Sequence, residues 1–269
     1  MTSLAALATS FVLLWVVSLV RRDASIADIW WGPAQVLAVL AAWPAGPDAR
    51  AWLVAALVAA WAARLAWHIG SRHAGEDPRY QAWRDRHGPR WWWLSLFQVF
   101  LLQAAVAWVV AWPVAAALNA GTPLGALDLA GVVLAAAGLA METVADRQLQ
   151  RHRDAPATRG RVLDTGLWRY SRHPNYFGEA VFWWGLALAG AGASGDWRVL
   201  ASPVLLTVLL LRVSGVTLLE ASLRANRPGY ADYARRTPAF VPWKPGSSGS
   251  TGSSGSTGST GSSGSTRAF

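Results

Sequence analysis

Long apolar runs alternate with short polar breaks along the whole chain. Runs at 3–20, 28–43, 51–70, 94–118, 126–146, 176–193 and 199–220 carry few charges. Most approach the roughly 20 residues that a helix needs to cross about 30 Å of hydrocarbon. The pattern predicts an all-α integral membrane protein of about seven transmembrane helices. Composition agrees, because 53% of residues are hydrophobic and only 14% charged, whereas soluble domains carry about a quarter charged. From Gly246 onward the pattern stops and Gly/Ser/Thr repeats take over. Such a stretch cannot bury a core and behaves as linker, so 1–245 is read as the domain and 246–269 as an engineered scar.

The polar breaks differ sharply in charge. Nineteen Arg and Lys side chains fall in the breaks after odd-numbered spans, from Arg21 and Arg22 to Lys244, while the other breaks hold only Arg50 and Arg198. The positive-inside rule then places the N-terminus outside and the C-terminus in the cytoplasm, as an odd number of spans requires. The same rule explains the formal charge of +9 without nucleic acid as a partner. Many of the eighteen Trp lie near predicted span ends, the aromatic belt of a bilayer interface. The chain has no Cys, which excludes disulfides, thiolate nucleophiles and thiolate metal sites. Its five His show no metal-ligand spacing with carboxylates, and no metal site is expected.

Some polar residues exceed what topology demands. In the break that ends SRHPNYFGE, Ser171 is placed to cap a helix with Pro174 in its first turn, beside Arg172 and His173. A helix start of that kind welcomes an anion. Asn175 and Glu179 are four residues apart and share a helix face, with Tyr176 alongside. Arg64, Arg212 and Glu142 fall within or at the edge of apolar runs, where an ionised group costs a few kcal/mol. Asp146 lies one turn from Glu142, and Glu220 closes the last run. Asp28 and Gln35 flank Gly32 and Pro33, which are expected to interrupt the second span. GEDPRYQAWRDRHGPRWWW reads as an amphipathic interfacial segment, and the tail sets Tyr230 and Tyr233 near Arg235 and Arg236. Basic, aromatic loops meeting at one face suit an anionic, ring-bearing cofactor above a lipid-filled cavity.

The segments TGLWRYSRHPNYFGE, SIADIWWG, GEDPRY, SLFQVFLLQ and GYADYARRTPAFVPW together resemble the bacterial uncharacterised branch of the steroid 5α-reductase superfamily. RHPNYFGE by itself is shared with membrane methyltransferases. The resemblance implies a seven-helix fold in the bacterial inner membrane, NADPH at the cytoplasmic side, and hydride transfer to a C=C of a steroid-like or other lipidic enone. Asn175 and Glu179 match the superfamily's Asn-x-x-Gly-Glu cofactor motif. Asp146 and Arg153 keep the spacing of its cofactor-binding Asp and Arg, Arg161 and Arg64 fall where further cofactor arginines are expected, and Glu142 stands where the animal enzymes have Asn. Asp28 falls near the acid that holds the enone carbonyl, with Trp61 at the partner Tyr position, and Gln35 is grouped with Asp28. Arg172, His173, Tyr176, Glu220, Tyr230 and Tyr233 complete the expected cofactor site.

Two other readings fit the same residues. An S-adenosylmethionine-dependent lipid methyltransferase would share RHPNY, Glu220, Tyr230 and Tyr233, although Leu219 precedes Glu220 where such enzymes commonly show a second acid. A non-catalytic lipid-binding protein would need the polar cluster to be structural.

Overall fold

The computed structural model describes residues 2–158, 160–213, 220, 223–224 and 227–246. Every regular element among them is helical: α1 (Thr2–Arg21), α2 (Ile26–Ala41), α3 (Ala49–Gly70), α4 (Pro78–His87), α5 (Trp91–Ser95), α6 (Leu102–Leu118), α7 (Ala126–Asp154), α8 (Pro174–Ser194), α9 (Ala201–Val208) and α10 (Tyr230–Arg236). A π-helical stretch, Leu96–Leu101, joins α5 to α6, and another, Leu209–Val213, follows α9. Among the described residues, four segments are long and apolar enough to cross a membrane: Thr2–Arg21, Ala49–Gly70, Pro78–Leu118 and Ala126–Asp154. At 16 residues α2 is only about 24 Å long, short of the hydrocarbon thickness. The C-terminal part of the expected run 199–220 lies outside the described residues.

The boundaries read from hydrophobicity hold within about two residues for α1, α2, α3 and α8, whereas the run expected at 94–118 belongs to a longer helical segment that begins at Pro78, and α7 runs on to Asp154. Its last two turns carry Arg147, Arg151 and Arg153 on helix rather than loop. The expected break at Gly32 and Pro33 is absent, since α2 continues through both. Gly32 serves packing instead, because a Cβ there would strike the Ala62 carbonyl of α3.

α7 and α8 lie antiparallel at backbone contact. Gly131 and Gly138 of α7 and Gly178 and Gly185 of α8 repeat every seven residues, so small residues stack along one stripe of each helix. A Cβ on Gly138 would strike the backbone of Gly178 and Phe182, and one on Gly185 the backbone of Gly131 and Ala135. Membrane helices associate through such stripes because close backbone approach, not apolar burial, drives them together in lipid. The stripe ends where a Cβ on Gly178 would meet the backbone of Glu142. Glu142 and Glu179 are thereby brought opposite one another.

Buried aromatic side chains fill the space between α3 and α8. Trp61 stacks on Phe182 with centroids 5.6 Å apart and meets Trp183 edge-on at 5.2 Å. At one end of α3 the fully buried Arg50 grips both oxygens of Asp128 on α7 at 2.7 and 2.9 Å and caps the carbonyls of Thr122 and Pro123. The other end of the same two helices holds the polar cluster described next.

Candidate functional site

Arg64 lies on α3 fourteen residues from Arg50, and Glu142 lies on α7 fourteen from Asp128. The two helices therefore run parallel in register, with a second ion-pair centre about 21 Å from the first. Arg64 donates Nη1 to Asp146 and Nη2 to Glu142. Asp146 also accepts from Asn175 Nδ2 at 3.2 Å and stands 3.5 Å from His68 Nε2. Residues predicted from three separate sequence segments thus converge on Arg64 and its acceptor Asp146.

The cluster opens into a cavity of about 360 Å³ lined by Glu142 and Asp146 of α7, by Asn175, Tyr176 and Glu179 of α8, and by Asp28 and Arg79 from α2 and α4. Several buried polar atoms in and beside it lack a partner: Arg64 Nε, Glu142 Oε2, Asn175 Oδ1 and Trp61 Nε1. Buried polar groups are seldom left so, and here donors and acceptors are orphaned side by side.

A second cavity of about 200 Å³ adjoins the first across a common wall of Leu149, Arg153, Trp168 and His173. Arg161, Arg172, Arg227, Tyr230 and Tyr233 line it. Its walls are tied down well. Trp168 Nε1 donates to the Ala145 carbonyl at 3.0 Å, the Tyr233 hydroxyl to the Trp168 carbonyl at 2.6 Å, and the Ser171 hydroxyl to the Phe240 carbonyl at 2.7 Å. The tail segment 230–243 thereby straps the loop that leads into α8. Burial pushes the Tyr230 phenol up to about 12, so it stays a neutral hydroxyl.

The arginines divide into committed and open ones. Arg172 lies 2.9 Å from Glu220 and caps the Ala234 carbonyl, so its charge is already answered. Glu220 is also 3.3 Å from His173, whose ring stacks on Tyr176 at 5.6 Å. Burial holds the His173 imidazole below its ordinary range, against the pull of Glu220. Arg153 and Arg161, by contrast, have no carboxylate partner among the described residues, nor do Arg72 and Arg227. Arg72 and Arg227 also repel Arg153. These like charges gather around the two adjoining cavities with no carboxylate at ion-pair distance among the described residues.

The capping expected of Ser171 is displaced by a step. His173 occupies the cap position of α8 without a side-chain bond, and the Ser171 hydroxyl accepts the His173 N–H at 3.1 Å. Asp28 accepts from Tyr80 at 2.6 Å, Arg79 at 3.0 Å and Gln103 at 3.3 Å. Spacing pairs Asp28 with Trp61, but the hydroxyl beside it belongs to Tyr80, and Trp61 sits in the aromatic packing of α3 and α8. Gln35 lies apart from both cavities, donating to the Ala107 carbonyl of α6 at 3.3 Å. Arg212 is exposed. Tyr80, Gln103, His68, Arg72 and Arg227 escape the sequence reading of the site. Tyr80 and Gln103 lie in GEDPRY and SLFQVFLLQ, whereas the two arginines look like ordinary topological charge.

The pairing of Asp28 with Tyr80 depends on a splice between two loops. Ala24 N–H donates to Glu76 at 2.8 Å, Asp77 N–H to the Ser25 hydroxyl at 3.1 Å, and His73 meets Asp23 at 2.6 Å. The start of α2 is thus held against the start of α4.

A family model described as a protein of unknown function (DUF1295) matches residues 14–237. An uncharacterised protein of Schizosaccharomyces pombe is 28% identical over 228 residues, which cover 74% of this chain and 65% of that protein. The chain therefore spans just under two thirds of that relative's length. No solved structure matches. The family match includes every lining residue of both cavities, and the chain belongs to the DUF1295 family.

Proposed function

We propose that the chain is a membrane-embedded reductase that binds NADPH in the two joined cavities and reduces a C=C bond of a lipidic enone. In this reading it crosses a bacterial inner membrane seven times, N-terminus outside, with both cavities on the cytoplasmic side. The observation that carries the proposal is the set of arginines without a carboxylate partner around two adjoining cavities, one of which is lined by buried, incompletely hydrogen-bonded polar groups.

The residues fit a dinucleotide phosphate. Arg153 and Arg161, joined by Arg72 and Arg227, offer open forks for phosphate oxygens. A carboxamide both donates and accepts, as the orphaned atoms of Arg64, Glu142 and Asn175 require. Bound NADPH would supply a hydride; the protein's part is to position and to polarise. Asn175 and Glu179 orient the nicotinamide end, while Asp28, held by Tyr80, fixes the donor Arg79 beside the cavity, where an acceptor carbonyl gains electron density during reduction. The apolar helix surfaces admit an acceptor from the lipid. Loss of the Asp28 carboxylate in Asp28→Asn should lower turnover by on the order of a hundredfold, with cofactor affinity little changed.

Calorimetric titration of the detergent-purified protein with NADPH, NADH and S-adenosylmethionine tests the reading. NADPH should bind most tightly, in a salt-dependent way because its phosphate contacts lie at the solvent-exposed end. A sulfonium cation should be repelled by the same arginines. Binding of S-adenosylmethionine with none of NADPH would contradict the proposal.

A further inference from the structure

We propose that Glu142 and Glu179, facing each other beside Arg64 and Asp146, store one exchangeable proton at neutral pH, held as a buried carboxylic acid in the wall of the cavity. The argument begins with charge. Three carboxylates converge where one guanidinium, Arg64, makes the ion pairs, with Glu142 and Asp146. The Glu142 side chain is 4% exposed and that of Asp146 8%. Three buried anions against one cation cannot all remain ionised cheaply, and a proton shared between two of them relieves the repulsion.

The remaining charged groups around the pair do not cancel the excess. On α3, His68 stands 3.5 Å from Asp146, and just beyond the end of that helix the Arg72 Nε donates to the His68 carbonyl. On α7, Arg153 lies two turns further out, at the wall shared with the second cavity. On α4, Arg79 is claimed by Asp28 and Asp77, both at about 3 Å. On α8 the neighbours are the neutral Asn175 and Tyr176.

A second observation is independent of charge. Glu142 Oε2 has no hydrogen-bond partner of normal geometry, although the fully buried Trp61 Nε1 is directed at Glu142. The α7–α8 stripe holds the two glutamates together, since a Cβ on Gly178 would meet the Glu142 backbone. A proton on one of the two glutamates supplies an O–H for the open carboxylate oxygen, which two ionised carboxylates could not.

The chemical consequence rests on the reductase reading. Reduction of an enone adds a hydride at the β-carbon and a proton at the α-carbon while the C=C π bond breaks. The hydride comes from reduced nicotinamide, whose ring then carries one positive charge. If the added proton comes from the Glu142–Glu179 pair, the pair gains one negative charge as the ring gains its positive one, and the charge of the closed cavity is unchanged. A low-dielectric site favours a step that creates no net charge.

Infrared spectroscopy and calorimetry read the two parts separately. The ligand-free protein at neutral pH should show a carboxylic-acid C=O band that disappears in Glu142→Gln or Glu179→Gln, both of which preserve side-chain shape. Titration in buffers of different ionisation enthalpy should show about one more proton released on binding NADP+ than NADPH, a difference lost in the same variants. Absence of the acid band overturns the proton store. The band together with equal proton release for both nucleotides overturns its coupling to reduction. The band in a protein that binds neither nucleotide leaves the store standing and refutes the reductase reading.

Discussion

Arg50 and Arg64 are two arginines of one helix that meet acids of one partner helix at the same spacing, yet they are finished differently. Around Arg50 every guanidinium nitrogen has an acceptor, and the pair is sealed from solvent. Around Arg64 a nitrogen, a carboxylate oxygen and a neighbouring amide oxygen remain unpartnered at the edge of a cavity. A completed buried pair holds helices together, whereas an incomplete one waits for something to complete it. The difference separates a structural clamp from a candidate binding site built from the same residue types.

The largest expected effect attacks the clamp. Arg50→Ala leaves Asp128 buried without its counter-ion and should cost about 3–5 kcal/mol, read as a lowered midpoint of unfolding in detergent. Nucleotide affinity of the folded fraction should be unchanged, since the cavity lies about 21 Å away. Unaltered stability in this variant would remove the contrast with Arg64.

Next comes the stripe that aligns the site. Gly138→Ala places a methyl group against the backbone of Gly178 and Phe182 and should cost about 1–3 kcal/mol through overpacking. Nucleotide binding should weaken too, because Glu142 and Asn175 move apart. Gly46→Ala is the control, as a Cβ there meets nothing within 4 Å, and its stability should match that of the parent protein.

At the open end the balance between stability and binding reverses. Asn175→Ala removes one hydrogen bond to Asp146, so stability should fall by no more than about 1 kcal/mol, while NADPH binding weakens by roughly 1–3 kcal/mol. The smallest effect concerns His173. Its folded imidazole binds protons less readily than the unfolded one. The stability this gives is complete above the unfolded value of about 6.5 and is lost as pH falls from there through the folded value. His173→Gln should flatten that acid limb of the unfolding midpoint, and an unchanged limb would assign the sensitivity to other groups.

Much of this contrast was legible in the sequence, for identifiable reasons. Apolar runs and capping residues set the helix boundaries, and Asn175, Glu179, Asp146 and Arg64 stood out because polar groups in apolar runs are costly. The Arg50–Asp128 clamp was not legible, since Arg50 at a span end reads as ordinary interfacial charge. Nor was the role of Tyr80, because its approach to Asp28 depends on the splice of two loops fifty residues apart. Gln35 stood out for the same reason as Asn175 and Arg64, and its amide N–H₂ donates to a carbonyl of α6 away from both cavities. Hydrophobic period places a side chain on a helix, and only the packing of neighbouring helices decides whether it meets a cavity or a carbonyl.

The most direct test is the thermal unfolding of three proteins, the parent, Arg50→Ala and Asn175→Ala, each with and without NADPH. A ligand that binds only the folded state stabilises it by about 2.7 kcal/mol at a hundred times its Kd. The account predicts that NADPH raises the midpoint of the parent and of Arg50→Ala by similar amounts from different starting points, and raises that of Asn175→Ala far less. Equal shifts in all three proteins, or no shift in any, would contradict it.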